Sequence, residues 1–340
     1  MAGCGDEVVT LAANLQGHEK AITGIALPER SGELYTSSKD GTVRVWDCNT
    51  GRCKWVVDLG CPVGALISNG PWIFCGADNV VKAWNIETNA EFSLDGPAVG
   101  QVCALVFDKE MLFAGTDKGV ILVWKAKDGQ FELVASLTGH TATVVCFIIG
   151  SKFTKLYSGS EDHTIKVWDL NSLECVATLS GHSDVVTSLI CWDQFLISSS
   201  LDCTIKVWHM TETDNFNLEV IYTHNVEHGI IALSGMHDAE DNPVLICCSS
   251  DSSIRLYDQP SFDQRAVLFG KQEVRAIQIG VGGLFFIGDA SGLLSVWKWL
   301  EPAVKVRGDN RTALRKRGRE GVEGCGWQPN KHICSRLMLT

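Results

Sequence analysis

The stretch GHTATVVCFIIGSKFTKLYSGSEDHTIKVWD, residues 139–169, decides the fold. It opens on Gly-His, passes through Ser-Glu-Asp and closes on TIKVWD at 164–169. That closing hexad has six counterparts: TVRVWD at 42–47, VVKAWN at 80–85, VILVWK at 120–125, TIKVWH at 204–209, SIRLYD at 253–258 and LLSVWK at 293–298. Their aromatics are Trp46, Trp84, Trp124, Trp168, Trp208, Tyr257 and Trp297, spaced by 38, 40, 44, 40, 49 and 40 residues. A repeat of this length is one supersecondary unit, which buries its apolar face only by stacking on its neighbours. The strand runs are apolar on both sides of the alternation, as in Val43, Val45 and Trp46. A sheet covered on both faces requires that pattern. Arg44 and Lys166 extend their charged ends to the rim. The longest interval contains the polar run MHDAEDNP at 236–243, which predicts an extended surface loop.

A period near 40 with this signature resembles that of WD40 blades. The seven segments predict an all-β fold, a seven-bladed WD40 β-propeller. Three repeats carry the full resemblance: Gly17-His18, Ser38-Lys39-Asp40 and Trp46-Asp47; Gly139-His140, Ser160-Glu161-Asp162 and Trp168-Asp169; Gly181-His182, Ser200-Leu201-Asp202 and Trp208 followed by His209. The family's structural tetrad of His, Ser or Thr, Asp and Trp then falls, by spacing, on His18, Thr36, Asp40 and Trp46. In the fourth repeat it falls on His140, Ser158, Asp162 and Trp168, and in the fifth on His182, Ser198, Asp202 and Trp208. The expected chemistry is a relay. The carboxylate accepts from the imidazole, which the hydroxyl orients, and the hydroxyl meets the indole N–H. Charge-assisted bonds of this kind contribute about 1.5–3 kcal/mol each when buried. The other repeats are degraded. By the same spacing the second has Phe74 at the hydroxyl position beside Asp78 and Trp84, and the third has Asp117 one residue out of register. The sixth has Cys247, Asp251 and Tyr257, and the seventh keeps only Trp297.

After Trp297 only Lys298, Trp299 and Leu300 precede Glu301-Pro302, too little for an outer strand. Ahead of the first Gly-His lies an orphan apolar run, VVTLAANL at 8–15. That run is expected to supply the last blade's outer strand, because closure is how a radial array of sheets removes its open edges. The propeller is expected over 7–301, followed by a flexible, disordered basic tail over 302–340.

Charge is divided unevenly along the 340 residues. The total is −11; residues 303–340 hold nine Lys or Arg against three Asp or Glu, a net of +6, which leaves −17 on residues 1–302. An acidic body repels phosphate backbones, so non-specific nucleic-acid binding by the body is not expected. No apolar run approaches the ~18 residues that span a bilayer. MAGCGDEVVT at the N-terminus has no basic region followed by an apolar one. An intracellular setting, nuclear or cytoplasmic, is therefore expected. The 14 cysteines are scattered, with one vicinal pair, Cys247 and Cys248, and read as reduced apolar residues rather than a disulfide framework.

Longer segments narrow the likeness. ALPERSGELYTSSKDGTVRVWDCNTG at 26–51, VEHGIIALSGMHDAEDNPVL at 226–245 and KQEVRAIQIGVGGLFFIGD at 271–289 resemble the propeller of plant CCCH zinc-finger proteins with WD repeats, over roughly residues 10–300. That resemblance implies RNA or DNA association and a nuclear setting. The zinc finger itself is absent, because no Cys-x8-Cys-x5-Cys-x3-His run occurs in the chain. The family's zinc and nucleic-acid roles are therefore carried onto no residue, and the stretch after 302 departs from the family.

Other motifs favour the plainer reading. His224-Asn225-Val226-Glu227-His228 matches H-x-x-E-H, but that metal chemistry needs a helix, and this run lies between propeller strands. Cys325, His332 and Cys334 lack a fourth ligand and paired spacing. Leu314-Arg315-Lys316-Arg317-Gly318-Arg319 is a basic run in a solvated tail, or a nuclear-import or nucleic-acid patch. No catalytic residue, metal or cofactor is expected. Resemblance to WD propellers implies partner binding on the top face, one, three and five residues after the His and one before the Asp. These positions are Glu19, Ala21, Thr23 and Lys39; Thr141, Thr143, Val145 and Glu161; and Ser183, Val185, Thr187 and Leu201. Their mixed character suits a protein or peptide better than a polyanion. The expected function is a non-catalytic, monomeric interaction scaffold. The alternatives are an RNA- or DNA-associated nuclear regulator and a ubiquitin-ligase substrate receptor. Trp-Asp-x-Arg, common in such receptors, is missing: Trp46-Asp47 precedes Cys48-Asn49 and Trp168-Asp169 precedes Leu170-Asn171.

Overall fold

In a computed structural model, residues 9–28, 31–127, 129–150, 154–192, 194–210, 218–238 and 241–300 are described. Their regular structure is 28 β-strands and one 3-10 turn, Val281–Gly283. The first blade is β2 (Ile22–Ala26), β3 (Glu33–Ser38), β4 (Thr42–Asp47) and β5 (Cys53–Asp58). The second is β6 (Ala65–Asn69), β7 (Trp72–Ala77), β8 (Val80–Asn85) and β9 (Glu91–Asp95); the third is β10 (Val102–Asp108), β11 (Met111–Thr116), β12 (Ile121–Lys127) and β13 (Gln130–Leu137). The fourth is β14 (Val144–Ile149), β15 (Lys155–Ser160), β16 (Thr164–Asp169) and β17 (Cys175–Ser180); the fifth is β18 (Val186–Trp192), β19 (Phe195–Ser200), β20 (Thr204–Met210) and β21 (Leu218–Asn225). The sixth is β22 (Ile230–His237), β23 (Pro243–Ser249), β24 (Ser253–Asp258) and β25 (Asp263–Phe269). The seventh combines β26 (Val274–Ile279), β27 (Leu284–Asp289) and β28 (Leu294–Trp299) with β1 (Val9–Leu15), in the order β1-β28-β27-β26. The fold is a seven-bladed β-propeller. The N-terminal strand closes it through antiparallel pairing from Val9↔Trp299 to Leu15↔Leu294. Residues 7, 8 and 301 and the expected tail, 302–340, lie outside the described residues.

Burial follows each strand's radial place. In β3 every residue from Leu34 to Ser38 is buried, whereas in the outermost strand β5 every residue is exposed. The second strand of a blade faces neighbours on both sides, so its alternation vanishes, while the third still alternates buried and half-buried residues, as β8 does throughout. The clusters accordingly straddle blades: Ala26, Tyr35, Val43 and Val45 of the first pack with Val63, Leu66, Ile73 and Cys75 of the second. Burying each Val, Leu or Ile among them contributes about 1.5–3 kcal/mol. Blade-to-blade approach is set by small residues. A Cβ on Gly115 would lie 2.6 Å from Val144 Cγ1, and one on Gly288 would lie 2.5 Å from Ile22 Cγ2.

Two expectations need correction. The run 236–243 is not all loop: Met236 and His237 end β22, Pro243 begins β23, and His237 pairs with Pro243. The hairpin is longer because its strands are longer. In the second blade the hydroxyl position belongs to Cys75, not Phe74. Thr36 pairs with Arg44, two before Trp46, and Cys75 pairs with Lys82, two before Trp84. The β7–β8 turn holds only Asp78 and Asn79, with Ala77 paired to Val80, so counting back from Trp84 lands one residue early.

Candidate partner-binding face

Three blades build the same polar relay. In the first, Trp46 Nε1 donates to Thr36 Oγ1 at 2.8 Å, Thr36 Oγ1 meets His18 Nε2 at 2.8 Å, and His18 Nδ1 meets Asp40 Oδ2 at 2.9 Å. The fourth repeats it with Trp168, Ser158, His140 and Asp162 at 2.8, 2.7 and 2.7 Å. The fifth does so with Trp208, Ser198, His182 and Asp202 at 2.8, 2.7 and 2.8 Å. A hydroxyl has one proton. An ionised carboxylate only accepts, so Nδ1 carries the imidazole proton; in the neutral ring Nε2 then accepts, and the hydroxyl, which accepts from the indole, donates its proton there. Burial agrees, since it lowers the pKa of His18, His140 and His182 despite the carboxylate beside each.

The carboxylates do a second job in the turn. Asp40 Oδ1 accepts from Thr42 N–H at 2.9 Å and Thr42 Oγ1 at 2.7 Å, while Oδ2 also accepts from Glu19 N–H at 3.0 Å. Burial alone would raise the Asp40 pKa, but these donors and His18 outweigh it and bring it to about 2. Asp162 is brought to about 2 in the same way, against burial, by Thr164, His140 and Thr141. The relay thus ties the residue after each His to the β–β turn.

Backbone bonds then fix the top face, the side bearing these turns. Lys39 N–H donates to Ala21 O at 3.0 Å, Glu161 N–H to Thr143 O at 2.9 Å and Leu201 N–H to Val185 O at 3.1 Å. Among the twelve positions read from sequence, Glu19, Lys39, Thr141, Glu161, Ser183 and Leu201 are exposed. Ala21, Thr23, Thr143, Val145, Val185 and Thr187 are half-buried. Thr23 Oγ1 bonds Ser37 Oγ at 3.0 Å and Thr187 Oγ1 donates to Ile230 O at 2.7 Å, so those hydroxyls face inward.

The same bond recurs where the relay is lost: Asp117 N–H to Gln101 O at 3.0 Å, Ser250 N–H to Gly229 O at 2.8 Å and Ala290 N–H to Glu273 O at 2.9 Å. Asp117 is therefore the counterpart of Lys39, not a displaced tetrad carboxylate. Each of these residues lies seven before its blade's aromatic, a spacing that identifies Asp117, Ser250 and Ala290 without any Gly-His. Burial raises the Cys103 pKa to about 11, with Asp117 and Glu161 adding and Lys39 opposing.

The sixth blade substitutes a different polar arrangement. Arg255 Nη2 meets Asp251 Oδ2 at 3.0 Å, and Arg255 Nη1 donates to Ser249 Oγ at 2.9 Å. His228 Nε2 lies 3.5 Å from Asp251 Oδ2. His224 sits on β21 with its ring 5.0 Å from those of Tyr257 and Phe262, so the H-x-x-E-H run spans a strand and a turn. Among the described residues no group of three or more His, Cys, Asp or Glu is placed to hold a metal ion. Among them, too, no helix is long and apolar enough to cross a membrane. Arg315–Arg319, Cys325, His332 and Cys334 lie outside the described residues.

A closed seven-bladed ring with three His–Ser/Thr–Asp–Trp relays defines a WD40-type propeller. The family model described as WD domain, G-beta repeat matches residues 9–47, 131–169 and 173–209. Zinc finger CCCH domain-containing protein 17 of Oryza sativa subsp. japonica is 54% identical over 294 residues, covering 86% of this chain and 66% of that protein. Zinc finger CCCH domain-containing protein 63 of Arabidopsis thaliana is 56% identical over 301 residues, covering 86% and 67%. Among solved structures, the WD40 β-propeller domain of Doa1 matches with a TM-score of 0.71 at 22% identity, over 85% of this chain and 96% of that one. The chain belongs to the WD40-repeat family that includes these plant CCCH proteins, and it spans about two thirds of their length.

Proposed function

We propose that the protein is a non-catalytic interaction scaffold, working as a monomer inside the cell, whose top face captures a protein or peptide partner. The reading rests on one observation: the turns of the first, fourth and fifth blades present Lys39, Glu161 and Leu201 outward from positions fixed by hydrogen bonds on both sides. Preorganised side chains of mixed charge, with an apolar neighbour, lose little entropy on binding and discriminate by charge. WD40 propellers generally bind protein partners, and the family is in the main non-catalytic. The test is partner capture by wild type and by the Lys39→Glu, Glu161→Lys double variant. Lost capture with unchanged thermal unfolding supports the reading; unchanged capture removes the top face as the site.

The plant relatives are named as CCCH zinc-finger proteins, and the second reading implied by that resemblance is association with RNA or DNA in the nucleus. Residues 303–340 carry the net +6 that such binding would use. Crosslinking and mass spectrometry of bound molecules, with and without nuclease, separates the two readings. A steep salt dependence lost on deleting 303–340 would favour nucleic acid.

A further inference from the structure

At the outer rim between the sixth and seventh blades, a cavity occupies the place where the seventh blade's relay would stand. Trp297 keeps the position of Trp46, paired with Phe285 as Trp46 is with Leu34. Ile287 pairs with Ser295, two before Trp297, as Thr36 pairs with Arg44, two before Trp46, so an isoleucine replaces the hydroxyl. The connection from β25 to β26, residues 270–273, is one residue shorter than the 181–185 connection that carries His182, and it holds no histidine. The space is left as a cavity of about 110 Å³, with Ile254, Gly270, Ile287, Asp289 and Trp297 in its lining. Leu11 and Phe269 also line it and are 44% and 73% exposed, so it opens to the surface between two apolar lips. A cavity of about 150 Å³ holds a benzene ring, so this one has room for a smaller ring.

Two polar atoms of this lining lack a protein partner. In the first blade the indole N–H is donated to the hydroxyl, whereas among the described residues Trp297 Nε1 has no acceptor. Asp289 is only 5% exposed. Its Oδ1 accepts from Ser291 N–H at 2.8 Å, Ser291 Oγ at 2.7 Å and Leu293 N–H at 3.0 Å, but its Oδ2 bonds none of the described residues. A buried carboxylate oxygen left in this way favours any donor that can reach it. We propose that the cavity is a socket for a histidine side chain carried by a partner protein. A neutral imidazole meets both needs: one ring nitrogen accepts from the Trp297 N–H and the other donates to Asp289 Oδ2. A phenyl ring would fill the space and leave both groups stranded. A lysine ammonium would serve the carboxylate alone, and would meet Lys271 in the same lining. A carboxamide could bond both, but would bury its remaining polar valences against Ile254 and Ile287. Leu11 and Phe269 would then cover the partner's backbone beside the histidine. The socket lies apart from Lys39, Glu161 and Leu201, so it is independent of the top-face reading.

Titration of the full chain with N-acetyl-histidine methylamide tests it, at about pH 7.5 where the imidazole is neutral. The readout is the nuclear magnetic resonance signal of the Trp297 indole N–H, assigned by its loss in Trp297→Phe. The signal should move saturably. The histidine probe should bind about ten-fold or more tightly than the matching phenylalanine, lysine and glutamine methylamides, as two added hydrogen bonds require. A signal that the histidine probe does not move overturns the proposal. So does histidine binding no tighter than the other three, which would mark a plain apolar void. Asp289→Asn keeps an acceptor at Oδ1 for Ser291 and Leu293 and puts a donor in place of Oδ2. It should weaken the histidine probe about ten-fold with thermal unfolding unchanged, and unaltered affinity overturns the proposal as well. The wild-type titration stands by itself if that variant fails to fold. The Lys39→Glu, Glu161→Lys double variant should bind the histidine probe as wild type does, which separates failure of the socket from failure of the top-face reading.

Discussion

Ser158→Ala removes a single buried oxygen and tests the relay directly. Ser158 is fully buried, accepts from Trp168 Nε1 at 2.8 Å and bonds His140 Nε2 at 2.7 Å. The change deletes no appreciable apolar surface, so its cost is that of two stranded polar groups. The Trp168 residue is 2% exposed and the His140 side chain 0%, which leaves no path for water to replace the hydroxyl. A buried donor or acceptor without a partner costs about 1–3 kcal/mol, which puts the variant roughly 2–6 kcal/mol below wild type. Equilibrium urea unfolding at pH 7.5, followed by tryptophan fluorescence, measures it. Asp162→Ala strands the other side of the same imidazole, so the double variant should cost less than the two singles together, with a coupling of about 0.5–3 kcal/mol. A loss under about 0.5 kcal/mol for Ser158→Ala, the range of a neutral surface change, would refute the view that the relay holds the blade.

Acid should unfold the protein in two stages. His18, His140 and His182 have lowered pKa values in the fold, so the unfolded chain binds more protons just below pH 6.5 and stability falls as pH drops through that range. Asp40 and Asp162, at about 2 in the fold, add stability that is complete above about pH 4 and is lost as pH falls toward 2; urea midpoints against pH check both stages. Cys203→Gly should stabilise by about 1 kcal/mol, because Cys203 holds φ 64° at a turn position where Gly41 and Gly292 hold 89°. A lower urea midpoint would contradict this. Gly115→Ala should destabilise by about 1–3 kcal/mol, because its Cβ would lie 2.6 Å from Val144 Cγ1 across the blade interface; melting within a degree of wild type would contradict the close approach.

The blade count and the ring closure were legible because the repeats keep their aromatic even where all else drifts. Trp297 marks a seventh blade with nothing else of the signature, and VVTLAANL was the apolar run left without a blade. The hydroxyl position in the second blade was not legible. A one-residue deletion in the β7–β8 turn is invisible when counting from Trp84, and only the pairing of Cys75 with Lys82 shows it. The top-face positions of the third, sixth and seventh blades were missed because they were sought from a Gly-His those blades lack. An apolar groove between the seventh and first blades, with Leu15, Leu34 and Phe286 in its lining, was illegible for another reason. Its walls come from β1, the β4–β5 turn and the β26–β27 connection, which are far apart in sequence and meet only on closure.

The degraded second and third blades show what replaces a relay. Trp72, Phe74, Phe92, Phe107 and Phe131 form one aromatic cluster across their interface, with Phe74 and Phe107 stacked at 5.2 Å and Trp72 edge-on to Phe131 at 5.3 Å. Such pairs add about 0.5–1.5 kcal/mol each beyond their buried area. That cluster glues one sheet to the next but, unlike the relay, reaches no turn on the top face. The relay runs from a core tryptophan through a hydroxyl and an imidazole to a carboxylate that also holds the N–H after the His. Stability and the backbone bond at the turn occur with or without the relay; what the relay adds is a second tie, from the turn carboxylate to the N–H after the His. Its retention in the first, fourth and fifth blades, where Lys39, Glu161 and Leu201 stand, fits a face on which those three positions are held in place for a partner.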